Sequence, residues 1–326
     1  MGTACEVEVE AVHQAQDTGL SHRLKEAIAG PARNHLGIVL ALLAVYVIWG
    51  STYLAIRVAV LGGFPPFMMA GVRFIIAGAG LYAFLRLRGH AGPTPRQWGA
   101  AAMAGCLLLV AGNGVVSFAE QWVASGLTAV WVAITPVWAA LFAGLLGRWP
   151  GRLEWAGLFL GIAGVGLLNL EGDFQASPVG AVALTVATVC WAFGSVWSQK
   201  LSLPSGLMAS AAEMLVGGVV LAALSLISGE KLTRVPDDQA LLALAYLIVF
   251  GSLVAFSAYL YLLKRVRPSL ATSYAYVNPV VAVMLGVVLL SEHVTAVGIA
   301  AMIMIVLAVA LVAAGRGRSA RSEAQE

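Results

Sequence analysis

Apolar residues run through this chain for about 20 positions at a time, and Gly, Pro and charged residues mark the gaps between the runs. A helix needs roughly 20 mostly apolar residues to cross roughly 30 Å of hydrocarbon. The runs predict ten such spans, at 36–58, 66–85, 98–118, 124–146, 154–170, 178–197, 206–227, 240–263, 268–290 and 294–314. The expected fold is an all-α polytopic membrane protein without strands. Residues 1–33 are polar, with Glu6, Glu8, Glu10 and Asp17 ahead of Arg23 and Lys25, and lack the basic-then-apolar order of a secretory signal. They read as a disordered cytoplasmic tail, and 316–326 as a second, short one.

Composition agrees with the bilayer as solvent. Sixty per cent of the 326 residues are hydrophobic and 11% are charged, against about 25% charged in an ordinary soluble domain. Charge then orients the spans. An even number puts both termini on one side, and that side holds Arg23, Lys25, Arg33, Arg86, Arg88, Arg96, Arg148, Arg152, Lys200, Lys264, Arg265, Arg267, Arg316, Arg318 and Arg321. The opposite loops hold only Lys231 and Arg234, together with the acids Glu171, Asp173, Asp237 and Asp238. Positive residues stay inside, so both termini are expected in the cytoplasm. Cys5, Cys106 and Cys190 are odd in number and widely spaced, and read as packing thiols.

A shift of about 142 residues brings the halves into register. Val47 to Ser51 falls near Val189 to Ser195, Ser125 to Pro136 on Pro268 to Pro279, and Arg73 to Gly78 on Glu213 to Gly218. The chain therefore divides into a first repeat at 34–171 and a second at 172–315. Five spans per repeat is an odd number, so the second repeat enters the membrane inverted. Two inverted units about a midplane site can expose it to each side in turn.

The runs Tyr46 to Val58 (YVIWGSTYLAIRV), Pro65 to Gly78 (PPFMMAGVRFIIAG), Trp191 to Ser195 (WAFGS) and Ala271 to Val283 (ATSYAYVNPVVAV) resemble the EamA family of the drug/metabolite transporter superfamily, nearest its YedA-like bacterial members. The resemblance covers about 34–315. It implies a ten-helix inner-membrane protein of two inverted five-helix repeats that moves small metabolites, often outward. It also implies cavity walls on spans one, three, four, six, eight and nine.

Candidate chemistry sits near the bilayer midplane. Pro136 and Pro279, each about twelve residues into a span, are expected to kink their helices and free the carbonyls of Val132 and Ala275. Trp131 with Thr135, and Tyr274 with Asn278, stand at i and i+4 beside those kinks, and each pair shares a helix face. That face is the candidate substrate site. The plainer reading is that Thr135 and Asn278 serve only the freed backbone groups while the aromatics pack. Trp49, Ser51, Trp191 and Ser195, beside Gly50 and Gly194, and Asn113, beside Gly114, are further pathway candidates, although small residues at helix contacts are more often packing. Trp98, Trp122, Trp149 and Trp155 at span ends read as interfacial belts.

Arg73 and Glu213 are ionisable groups within spans, and such groups are functional candidates by default. They occupy equivalent repeat positions but start from opposite faces. Two separate pairs are expected instead, Arg73 with Glu120 and Glu213 with Lys264, as gate or scaffold clamps. A proton carried by Glu213 is the candidate coupling ion.

Other classes fit less well. His13, His22, His35, His90 and His293 lie outside the spans or at their ends, and no metal cluster, nucleophile elbow or nucleotide motif appears within them. No cofactor, metal or nucleic acid is expected, and an enzyme or accessory subunit is the weaker alternative. A channel would call for a re-entrant filter or charged ring. The reading that remains is a secondary transporter for a small molecule, exporting amino acids or related amphipathic solutes.

Overall fold

Proline and glycine at the ends of the apolar runs decide where helices begin. Among residues 35–123, 125–168, 177–290 and 296–323, which the computed structural model describes, all regular structure is helical. The segments are α1 (His35–Leu61), α2 (Pro66–Leu87), α3 (Pro95–Ala119), α4 (Ser125–Val132), α5 (Thr135–Leu145) and α6 (Arg152–Leu168). They continue as α7 (Pro178–Trp197), α8 (Leu207–Ile227), α9 (Asp238–Leu263), α10 (Pro268–Ala271), α11 (Tyr274–Leu290) and α12 (Ala296–Glu323). Seven stretches are long and apolar enough to cross a membrane: α1, α2, α3, Thr128–Leu145 through α4 and α5, Pro178–Lys200, α8 and α9. The expected N-terminal tail, Glu171 and Asp173 lie outside the described residues. The last helix continues to Glu323, through residues read from the sequence as tail. The chain divides into Met1–Ala41, whose described part is the start of α1, and Leu42–Glu326, which holds the remaining helices and the cavities between them.

Caps fix several helix starts. Thr94 and Gln97 form a capping box on α3, Ser177 accepts from Gly180 at the start of α7, and Asp237 accepts from Ala240 at the start of α9. Pro66 opens α2, whose next two amides, Phe67 and Met68, donate to the Glu230 carboxylate at 3.1 and 2.9 Å. An anion there satisfies orphan N–H groups and suits the positive end of the helix dipole.

Glycines let helices meet at backbone distance. A Cβ added at Gly71 would lie 2.9 Å from the Ala222 nitrogen, one at Gly78 2.7 Å from the Leu215 nitrogen, and one at Gly218 2.7 Å from the Ile75 nitrogen. Numbers rise along α2 as they fall along α8, so the two helices cross antiparallel. In the same way a Cβ on Gly157 would meet the Ala308 carbonyl oxygen at 2.8 Å, and one on Gly164 the Ile305 side chain at 3.0 Å, joining α6 to α12. Lipid offers helices no hydrophobic drive to associate, so close packing of this kind holds them together.

Regular winding fails in two ways, and both shape the interior. The α3 segment Cys106–Gly114 and the α9 segment Leu247–Phe256 are π-helical. π turns are rare, and their extra residue per turn turns later side chains onto a different face. Breaks are the second departure. Helix α5 starts after Ala133 and Ile134 with Pro136 in its first turn, where a proline is tolerated, so the break precedes the proline. In the second half Pro279 lies inside α11, and the break expected there comes at Thr272 and Ser273 instead. Both hydroxyls explain it, because Thr272 donates to the Pro268 carbonyl at 2.8 Å and Ser273 to the Leu270 carbonyl at 2.7 Å, competing with the helical ladder.

Glu154 at the start of α6 ties that helix to the start of α10. The Arg267 Nη1 donates to Glu154 Oε2 at 3.0 Å, and the Ser269 hydroxyl donates to the other oxygen. Arg267 is 34% exposed, so solvent screens the ion pair and the hydrogen bonds dominate. Glu154→Ala is expected to destabilise the protein by about 1–2 kcal/mol, read as a lower melting temperature, while Glu154→Gln recovers part of the loss.

Candidate functional site

Helix α1 presents one face into the protein: Trp49, Thr52, Tyr53 and Ile56 stand at i, i+3, i+4 and i+7 and line a cavity with about 480 Å³ of empty space. Opposite them the π segment of α3 and the turn after it bring Gly112, Asn113 and Val116 to the wall. Val132 and Thr135 add the break between α4 and α5, and α7 supplies Ala187, Thr188 and Trp191. Tyr274, the first residue of α11, completes the lining. A wider cleft, with about 1020 Å³ of empty space, opens near the Phe64 and Phe118 ends of α1 and α3.

Aromatic rings close the cavity toward the Lys200 end of α7. Trp49 packs against Trp191, Tyr259 and Tyr274 with centroids 5.4, 5.0 and 4.7 Å apart, and Tyr259 lies 5.4 Å from Trp191 and 5.7 Å from Tyr274. Such offset and edge contacts suit the ring quadrupoles. Polar bonds pin the rings. Trp49 Nε1 donates to the Gly251 carbonyl at 3.1 Å, Trp191 Nε1 donates to the Tyr259 hydroxyl at 3.1 Å, and that hydroxyl meets Ser195 Oγ at 2.5 Å. Glycine makes room for the Trp191 indole: a Cβ on Gly112 would lie 2.6 Å from its ring.

The polar wall has a definite donor and acceptor pattern. Thr52 donates its hydroxyl proton to the Trp49 carbonyl at 2.8 Å, Thr135 to Val132 at 2.6 Å, and Thr188 to Thr185 at 2.9 Å. Each hydroxyl has one proton, so what these threonines retain for the cavity is lone pairs. Thr135 thereby also serves the carbonyl next to the break.

Of the pathway candidates, Trp49, Asn113, Thr135, Trp191 and Tyr274 meet at this cavity. Ser195 lies beneath its aromatic floor. Asn278 is buried behind the wall and donates to the Tyr53 hydroxyl at 3.3 Å. Ser51 is turned away, donating to the Ile48 carbonyl at 2.7 Å and meeting the Tyr246 hydroxyl at 2.6 Å. Trp131 lines a separate apolar cavity and donates to Thr185 at 3.1 Å. Thr52, Tyr53, Thr188 and Tyr259 were not singled out from the sequence. The first two carry a signal all the same, since they share the helical face of Trp49.

The charged residues take hydrogen-bond partners other than those expected. Arg73 Nε donates to Ser252 Oγ at 2.7 Å and its Nη1 to Asn113 Oδ1 at 3.4 Å, rather than to Glu120. Gly251 makes this possible, because a Cβ there would lie 2.8 Å from the Arg73 Nη2. The cation nearest Glu120 is Arg57, which donates to the Glu120 and Val123 carbonyls at 3.1 and 2.7 Å. Lys264 donates to the Pro204 carbonyl at 3.3 Å and makes no hydrogen bond to Glu213, on which it acts only through its charge. The side-chain oxygens of Glu120 and Glu213 are buried without a hydrogen-bond partner among the described residues. No three His, Cys, Asp or Glu side chains come together among those residues to hold a metal.

The model of the EamA-like transporter family matches the chain twice, at residues 35–170 and 178–314. The inner membrane transporter YedA of Escherichia coli (strain K12) is 50% identical over 277 residues, which covers 85% of this chain and 90% of YedA. The transporter YvbV of Bacillus subtilis (strain 168) is 26% identical over 291 residues, covering 86% of this chain and 92% of YvbV. A solved crystal structure superposes with a TM-score of 0.70 at 22% identity, covering 84% of this chain and 95% of that one, and so has the same fold.

Proposed function

This chain belongs to the EamA-like transporter family, and we propose that it is a secondary transporter that carries a small amphipathic metabolite by alternating access. The observation that carries the reading is the cavity itself. Its wall draws on α1, α3, α4 and α5 from one half and on α7 and α11 from the other, so that any rocking of the halves reshapes it.

Several features favour ten spans in two inverted repeats. The π segments begin at Cys106 and Leu247, at matching places in the two halves. Trp49 donates to the Gly251 carbonyl and the Trp191 ring packs on Gly112, so each tryptophan reaches a glycine of the other half. The α2–α8 crossing is antiparallel about matching glycine-rich segments. With the charge asymmetry this gives cytoplasmic termini and a cavity in the outer half, closed inward by the aromatic floor. The work assigned to the chain is export of amino acids or related solutes across the inner membrane.

Counterflow into proteoliposomes containing the full-length protein tests the reading. Uptake of labelled solute should saturate and be accelerated by unlabelled solute inside. Flux that rises linearly with concentration and ignores the opposite side would mark a channel and overturn it. The same vesicles under an imposed pH gradient test the proton as coupling ion, which fails if the rates do not respond.

A further inference from the structure

Arg73 is 1% exposed in the middle of an apolar helix, and no carboxylate pairs with it among the described residues. A guanidinium has five N–H donors, of which two are engaged here, one to a neutral hydroxyl and one to a neutral amide. Intramembrane charges ordinarily pair or face a substrate path. The compensating anion for Arg73 is therefore sought in what the cavity receives.

Asn113 connects the two. Its Oδ1 accepts from Arg73, so the amide N–H₂ is the end left for the cavity that Asn113 lines. That end is a donor backed by a positive charge. The threonine hydroxyls of the wall offer lone pairs, and Trp49, Trp191 and Tyr274 offer aromatic rings. Lone pairs and π faces attract an ammonium group. We infer that the solute held in this cavity is a zwitterion whose carboxylate docks on Asn113 with Arg73 as its counter-charge, and whose ammonium faces the threonines and aromatic rings. Arg73 acts through Asn113 and is a positioning residue. The inference rests on the transporter reading for its purpose, but on the wall alone for its chemistry.

Three probes with one ring separate the two charges: phenylalanine, 3-phenylpropionate without the ammonium, and 2-phenylethylamine without the carboxylate. With purified full-length protein, phenylalanine is expected to raise the melting temperature most, 3-phenylpropionate less, and 2-phenylethylamine not at all, because only a ligand bound by the native state shifts it. The double variant Arg73→Met/Ser252→Ala should bind phenylalanine at least about tenfold more weakly. Without ligand it should melt at or above wild type, because a buried charge without a partner has been removed. A melting temperature several degrees below wild type would make Arg73 a scaffold clamp and overturn the inference. An equal response to 2-phenylethylamine, or no response to any of the three, overturns it as well. The transporter reading fails separately: phenylalanine binding without counterflow of any solute removes transport and keeps the site, and counterflow of other solutes without phenylalanine binding does the reverse.

Discussion

Gly218→Val is expected to destabilise the protein by about 3 kcal/mol, the upper end for carbon atoms forced into a packed interior. A Cβ at Gly218 would stand 2.7 Å from the Ile75 nitrogen and 3.0 Å from the Phe74 carbonyl carbon. Both are backbone atoms of α2 and cannot rotate away. Room for valine comes only from moving α2 off α8, which also opens the contacts at Gly71 and Gly78. Gly80 is the control within α2, since a Cβ there meets nothing within 4 Å. Gly80→Val should melt close to wild type, and Gly218→Val should melt well below it and elute as aggregate. If the two variants melt together, close helix crossing does not hold this fold.

Helix positions were legible in the sequence because one physical requirement, a run of apolar residues long enough for the bilayer, dominates each of them. The expected spans at 66–85, 178–197 and 206–227 match α2, α7 and α8 to within two residues at each end. Broken helices were less legible. Proline announces a missing hydrogen bond but not where the chain gives way. In α10 and α11 it gives way six residues before Pro279, where Thr272 and Ser273 offer their own carbonyl bonds. Trp131 and Tyr274 part company for the same reason. Trp131 precedes its break and faces the apolar side cavity, whereas Tyr274 follows its break and enters the central one.

The π segments left no mark that periodicity could read. Their consequence is the charge pattern, because Asn113 and the Gly251–Ser252 pair, which meet Arg73, both lie on π turns. Counting residues from a helix end gives a depth, and depth alone pointed to Glu120. Which face a side chain leaves from depends on winding, and there the straight-helix assumption failed.

With Ala187→Cys as the reporter, Tyr259→Phe is expected to make the thiol react about tenfold or more faster with an impermeant reagent applied from the Lys200 side. Ala187 is buried and lines the cavity on α7, so a reagent from the Lys200 side has to pass the aromatic floor to reach it. Phenylalanine keeps the ring that touches Trp49, Trp191 and Tyr274, so packing survives. What is lost is the acceptor for Trp191 Nε1 and the partner of Ser195. An orphaned buried donor costs about 1–3 kcal/mol. That cost falls on the closed floor alone, since opening exposes the same groups to water, and each 1.4 kcal/mol of difference shifts the population about tenfold. The measurement needs Cys5, Cys106 and Cys190 replaced by serine so that one thiol reports. An unchanged labelling rate in a variant that still folds would show that the floor does not gate.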